Sequence, residues 1–377
     1  MMDFHPFAVE QFLSEHEHGV RFNFSESGVH PMRYDELFRL AQIDTEALFA
    51  TLIDYPQVNG FDGLREKIAA LYPGAAPQNV LVTVGATEAN TLAAAALIAP
   101  GDNMVRFRPT YEQLPGNALN LGHEVRVVDL VEERGWAVDT AALAAVVDDR
   151  TRIIHVVNPN NPTGQILSDG DRDAIVGAAQ HSGAWIVADE VYSGTERNTD
   201  DPTPSFWGTH DRVIAINSMS KAYGLPGLRL GWLVVPEEIV DCAWRRHEYA
   251  SIAASMFSMK LADAALAPVP RARLMERARG LIRRGFETLS EALAEHPSVF
   301  SVVPPQASAM SFVKFALPVT SDEFARRLLA EEDVLVIPGS KFGLDGHFRF
   351  SSALPDGHLR EGLAHMNALV GRILAED

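Results

Sequence analysis

Along residues 79–216, short apolar runs rich in β-branched residues alternate with stretches whose apolar positions recur at helical spacing. The runs "NVLVTV" (79–84), "RIIHVV" (152–157), "WIVAD" (185–189) and "RVIAI" (212–216) read as strands, and 88–98 and 169–182 read as helices. Each strand ends in a polar loop. Strands alternating with helices predict a mostly parallel sheet covered on both faces, and such sheets bind ligands beyond the carboxyl ends of their strands. The pattern changes after about residue 265. Residues 271–296, "RARLMERARGLIRRGFETLSEALAEH", read as one long amphipathic helix. The strand-like "VFSVVPP" and "SFVKFAL" follow, then a helix over 321–331, the strand-like "VLVIPG" and "FRFSSA", and a last helix over 356–375. The expected fold is α/β: a large domain over 46–265 with a mostly parallel sheet flanked by helices, and a smaller α+β domain made of 1–45 and 266–377. No internal repeat or low-complexity tract interrupts the pattern.

The 377 residues suit two domains sharing a core, and 47% apolar with 22% charged residues is an ordinary globular balance. A formal net charge of −18 argues against nucleic acid or an anionic membrane as a partner, because phosphate contacts dominate such binding. It says nothing against a locally basic pocket for a small substrate. The single cysteine, Cys242, excludes an intrachain disulfide and a multi-cysteine metal site, and reads as a small buried hydrophobe. The N-terminal "MMDFHPFAVEQF" has neither a basic segment nor a continuous apolar run, so no signal peptide is expected. The most apolar segment, "TLAAAALIA" (91–99), is too short to span a bilayer. A soluble, cytoplasmic protein is expected.

Candidate chemistry gathers in a few short stretches. In "SMSKAYGLPGLRLG" (218–231), Lys221 stands among small residues, with Arg229 eight positions on. An aldehyde cofactor such as pyridoxal phosphate is held by a lysine amine, and small neighbours leave it room. Ser218 and Ser220 offer hydroxyls, and Arg229 a fork suited to a phosphate; the other reading is a merely exposed loop lysine. In "VTVGATEANTL" (82–92), Gly85 lets the backbone approach a ligand, and the N–H groups of Ala86 and Thr87 open a helix whose dipole favours anions. The other reading is an ordinary turn with Thr87 as N-cap.

"WIVADEVY" (185–192) ends an apolar strand in Asp189. A carboxylate there is costly unless a cation meets it, which a pyridinium nitrogen would do; a helix-capping aspartate is the alternative. Tyr192 offers a hydroxyl for the phenolic oxygen of such a cofactor, and Asn161 in "NPNNPTG" (158–164) an amide for the same atom. Tyr111, in "RPTYEQLP", offers a ring for stacking.

Taken in order, "GATEA", "NPNNPTG", "ADEVY" and the stretch around Lys221 resemble the class I/II aminotransferases among the fold-type I pyridoxal-phosphate enzymes, over nearly the whole chain. The resemblance implies that Lys221 carries the cofactor and then removes the substrate's α-proton, with Asp189 at the pyridine nitrogen. It places Asn161 and Tyr192 at the phenolic oxygen and Tyr111 on the ring. Gly85, Ala86, Thr87, Ser218, Ser220 and Arg229 would form the phosphate site, Arg349 in "HFRFSSA" would take the substrate carboxylate, and Gly28 would lie close to substrate. Tyr55, in "YPQVNGFDGLR", would reach the phosphate of a second subunit, which implies a homodimer. An amino acid and a keto acid are the implied small-molecule partners.

One segment departs from the common pattern. "SGVH" followed by "EL", within "FSESGVHPMRYDEL" (24–37), is similar to capreomycidine synthase and related cyclases that act on hydroxylated arginine. That similarity implies elimination and cyclisation in place of transamination, with His30 as a residue that touches substrate or assists proton transfer; a structural histidine is the other reading. The histidines of "EHEH" (15–18) are two apart and share no helix face, so no metal is expected. A regulator built on this fold would need a basic DNA-binding segment, and none is left over. A binding protein stripped of its chemistry would not need Lys221, Asp189 and Arg229 together.

Overall fold

A computed structural model describes residues 4–376. Its main sheet has eight strands, in the order Val80–Thr83, Gly231–Val234, Val213–Ser218, Trp185–Asp189, Thr151–Val157, Asn103–Arg108, Glu124–Val131 and Ala137–Val138. The neighbours from Val213–Ser218 to Glu124–Val131 pair in parallel, while Gly231–Val234 and Ala137–Val138 run against their neighbours. Successive residues of a strand point to opposite faces. Ile154, Val156, Ile186 and Ala188 therefore pack into one core layer, and Ile153, Val187, Ile214 and Ile216 into another. Burial on both sides is why these strands read as unbroken apolar runs.

Helix Asp169–Ser182 shows how closely local chemistry sets the boundaries. Ser168 accepts from the Asp171 N–H, the Asp171 carboxylate accepts in return, and Gly183 ends the helix at φ 73°. The four-stranded second sheet is antiparallel, in the order Phe300–Val302, Met310–Phe315, His347–Ser351, Ile337–Pro338. Helices Pro268–Leu293, Ser321–Glu332 and Asp356–Glu376 accompany it.

The first 45 residues are shared between the two bodies. Phe22–Asn23 pairs with Val334–Leu335, and Phe22 and Phe24 join the C-terminal core. Val9, on helix Ala8–His16, instead packs with Val105 and Phe107 of the main sheet, and Leu37 with Leu64 and Tyr223. No helix among the described residues is long and apolar enough to cross a membrane.

Candidate active site

The carboxyl ends of the parallel strands open on one edge of the main sheet. Asp189 closes its strand, the Asn158–Gly164 loop follows Val157, and Lys221 follows Ser218. A cavity of about 270 Å³ lies there.

One wall is a set of donors. Helix Gly85–Leu97 starts directly after the strand Val80–Thr83, with Gly85 at φ +73° and no side chain capping its first turn. Its leading N–H groups are therefore left for a ligand. Thr87 lies inside the helix, so the N-cap reading of that residue is overturned. Two glycines close the wall. A Cβ on Gly85 would fall 2.7 Å from Arg229 Nη2, and one on Gly231 would fall 2.5 Å from the Gly85 carbonyl carbon. The Arg229 guanidinium donates to Pro226 O at 3.1 Å and to Ser220 Oγ at 3.4 Å, while Ser218 Oγ accepts from the Ser220 N–H at 3.3 Å. Ala86, Thr87, Ser218, Ser220 and Arg229 all line the cavity.

Lys221, half-buried, lines the same cavity and donates from Nζ to Ser27 Oγ at 2.7 Å. Burial pushes its ammonium pKa down, with Glu26 opposing and Arg349 reinforcing the shift. Gly28 passes beside it; a Cβ there would stand 3.2 Å from Ser220 O and 3.7 Å from Lys221 Cδ. Asp189 is 4% exposed and accepts from Asn90 Nδ2 at 3.0 Å and from the Val191 N–H at 3.3 Å. Burial raises its carboxyl above the usual carboxylate range, against those hydrogen bonds. Residues 191–194 form a turn, so Asp189 caps no helix.

A hydrogen-bonded chain continues from Tyr192. Asn161 Nδ2 donates to the Tyr192 hydroxyl at 3.2 Å, and Asn161 Oδ1 accepts from Arg349 Nη1 at 3.0 Å. Arg349 is 1% exposed, also donates to the Ser25 carbonyl, and leaves Nε without a partner. Burial raises the Tyr192 phenol well above its ordinary value. Tyr111 lines the cavity and donates to Glu10 at 2.7 Å.

Two sequence candidates lie elsewhere. Tyr55 is 82% exposed and outside the cavity of its own subunit. His30 is not among the cavity's lining residues; its backbone is tied to Ala353 and, through its carbonyl, to Arg277. Burial lowers its imidazole pKa, with Arg277 acting in the same direction. Four residues absent from the sequence reading belong to the site: Ser27, Asn90, Glu10 and Glu26. Asn90 was legible, since it stands four residues after Ala86 and so on the same helix face. Ser27 adjoins Gly28 in sequence. Glu10 and Glu26 reach the cavity only through tertiary packing.

This donor set fits a ligand with an anion at one end, an electrophile within reach of the Lys221 amine, and a cationic ring atom for Asp189, which has no ion-pair partner among the described residues. Residues 35–366 match the model of the family "Aminotransferase class I and II". The chain belongs to this family. Capreomycidine synthase of Streptomyces vinaceus is 34% identical over 376 residues, covering 96% of this chain and 93% of that one. A PLP-dependent aminotransferase from Streptococcus suis superposes with a TM-score of 0.93 at 32% identity, over 99% of each chain. The PLP-dependent cyclase OrfR gives a TM-score of 0.89 at 25% identity, over 99% of this chain and 98% of that one. This member of the family is a pyridoxal-phosphate enzyme acting on an amino acid. The cofactor supplies an aldehyde for the lysine amine and a ring that takes up the electrons released at the substrate's α-carbon.

Proposed function

We propose that the protein transfers the α-amino group of an amino acid to a keto acid, as a cytoplasmic homodimer. The observation that carries this reading is the convergence of Lys221, Asp189 and Arg229 on one cavity. Arg229, Ser218, Ser220 and the N–H groups of Gly85, Ala86 and Thr87 hold the phosphate. Asp189, hydrogen-bonded by Asn90, would meet the ring nitrogen. Asn161 and Tyr192 would hold the phenolic oxygen, and Tyr111 would lie against the ring. Arg349 would take the substrate carboxylate, a role supported by its place at the end of the Asn161–Tyr192 chain. Lys221, its ammonium pKa lowered by burial, would hold the cofactor's aldehyde carbon and move the substrate's α-proton. Tyr55, exposed with Phe49, Leu52 and Ile53, completes the phosphate site of a second subunit.

A second reading is favoured by the 34% identity to capreomycidine synthase over 96% of the chain. In it the protein acts on a hydroxylated arginine: the α-proton leaves to Lys221, the side-chain hydroxyl leaves as water, and a guanidine nitrogen closes a ring. Mass spectrometry of products from a panel of amino acids separates the two. Transamination consumes a keto acid and returns a new amino acid; cyclisation proceeds without a keto acid and lowers the substrate mass by one water. Neither product from any substrate would refute both.

A further inference from the structure

Behind the start of helix Gly85–Leu97 lies a pair of charged groups that none of the proposed roles uses. Glu88 follows Thr87, and its carboxylate turns back on the corner between strand and helix. Its Oε2 accepts from the Val84 N–H at 2.6 Å, and its Oε1 from His247 Nδ1 at 2.9 Å and from Ser251 Oγ at 2.7 Å. His247, on helix Glu237–Ala250, is fully buried, and its Nε2 stands 3.3 Å from the Val58 carbonyl oxygen. The Glu88 side chain is 9% exposed, and neither residue lines the cavity.

Both nitrogens of the His247 ring face acceptors, a carboxylate on one side and a carbonyl on the other. A neutral imidazole donates through one nitrogen only, which would set a bare lone pair against one of the two. The ring therefore donates through both and carries a positive charge. Burial raises the Glu88 carboxyl, but hydrogen bonds from His247, the Val84 N–H and Ser251 outweigh it, and the carboxyl is held below its ordinary range. The result is an ion pair in which both carboxylate oxygens and both ring nitrogens are met, the condition under which a buried pair is stable.

The place of this pair decides what it does. The N–H groups of Gly85, Ala86 and Thr87 open the donor wall, and a helix N-terminus favours negative charge. Glu88 is itself a negative charge at that terminus. Left unpaired, it would offset the positive end of the helix and repel an incoming phosphate. We propose that His247 is a positioning residue of the phosphate site: its charge cancels that of Glu88, so that the carboxylate fixes the Val84 corner while the helix start stays open to an anion. This rests on the assignment of the donor wall to the cofactor's phosphate.

The test titrates the whole chain, freed of cofactor, with pyridoxal phosphate and with pyridoxal, which lacks the phosphate, and reads the visible band of each complex. Pyridoxal binding needs the folded cavity but no phosphate site, so it shows that each variant is folded. Wild type should prefer pyridoxal phosphate. His247→Gln should lower that preference at least about fivefold, the effect of one unpaired charge at a helix terminus. Adding Glu88→Gln to the same chain should restore it to within about twofold of wild type. Glu88→Gln alone keeps an acceptor for the Val84 N–H and should not lower it. Equal binding of the two ligands by wild type would end the phosphate reading of the wall, and this proposal with it. Where wild type does prefer the phosphate, three results overturn the proposal alone: an unchanged preference in His247→Gln, a double variant no better than that single one, or a loss on Glu88→Gln.

Discussion

At the residue scale, Asp189 is the clearest case of a side chain placed for a partner. A buried carboxylate with only neutral donors is held above its usual pKa, and a cation in the cavity reverses that cost. Asp189→Asn keeps size and hydrogen bonding and removes the charge. It should retain cofactor on Lys221 yet lose at least about tenfold in α-deuterium exchange, since a charge-assisted contact of roughly 1.5–3 kcal/mol is removed. Exchange at the wild-type rate would take Asp189 out of the mechanism. Lys221 makes a pH prediction with a definite sign. Its amine must be neutral to capture an aldehyde, and burial lowers its pKa below 10.5. Capture of cofactor by the apo-protein should accelerate as pH rises, with a midpoint below that of a free lysine; a midpoint at or above it would contradict the burial argument. Asp189 and Lys221 were legible because each sits where a strand pattern stops. Glu10 was not, because nothing near it in sequence announces a cavity; Glu26, two residues before Gly28, lay within a stretch already marked as near substrate.

At the scale of elements, the donor wall of the cavity depends on two backbones meeting. Gly231→Ala would put a Cβ 2.5 Å from the Gly85 carbonyl carbon and 2.6 Å from the Ala86 nitrogen. Neither atom can swing away, so the substitution should destabilise by about 1–3 kcal/mol and weaken cofactor binding together. The same exchange at Gly177, an exposed position inside helix Asp169–Ser182 with nothing within 4 Å, should stabilise by up to about 1 kcal/mol. Melting temperatures of both variants and the cofactor affinity of the first check the contrast. Helix Asp169–Ser182 was readable to the residue because Ser168, Asp171 and Gly183 mark both of its ends. The helix after Gly85 begins three residues before the periodic stretch that starts at 88, and no side chain caps its first turn.

At the scale of the molecule, the alternating pattern announced the parallel sheet and the change after about residue 265 announced the second sheet. The N-terminal segment was harder to read. Its short elements divide between the two bodies, and such docking is decided by long-range contacts rather than by local periodicity. The exposed apolar run Phe49, Leu52, Ile53 and Tyr55 argues for a partner surface. A dimer by light scattering is expected, and mixing inactive Tyr55→Phe and Lys221→Ala proteins should restore part of the activity by forming sites whose two contributions come from different chains. Mixed protein as inactive as its parents, or a fully active monomer at high dilution, would contradict this.

The central claim is that the cavity at the carboxyl edge is a cofactor site whose covalent anchor is Lys221. Borohydride reduction of the holoenzyme followed by peptide mass mapping tests it most directly. The account predicts a single phosphopyridoxyl label on the peptide carrying Lys221, absent from Lys221→Ala. A label on another lysine, or on none, would contradict it.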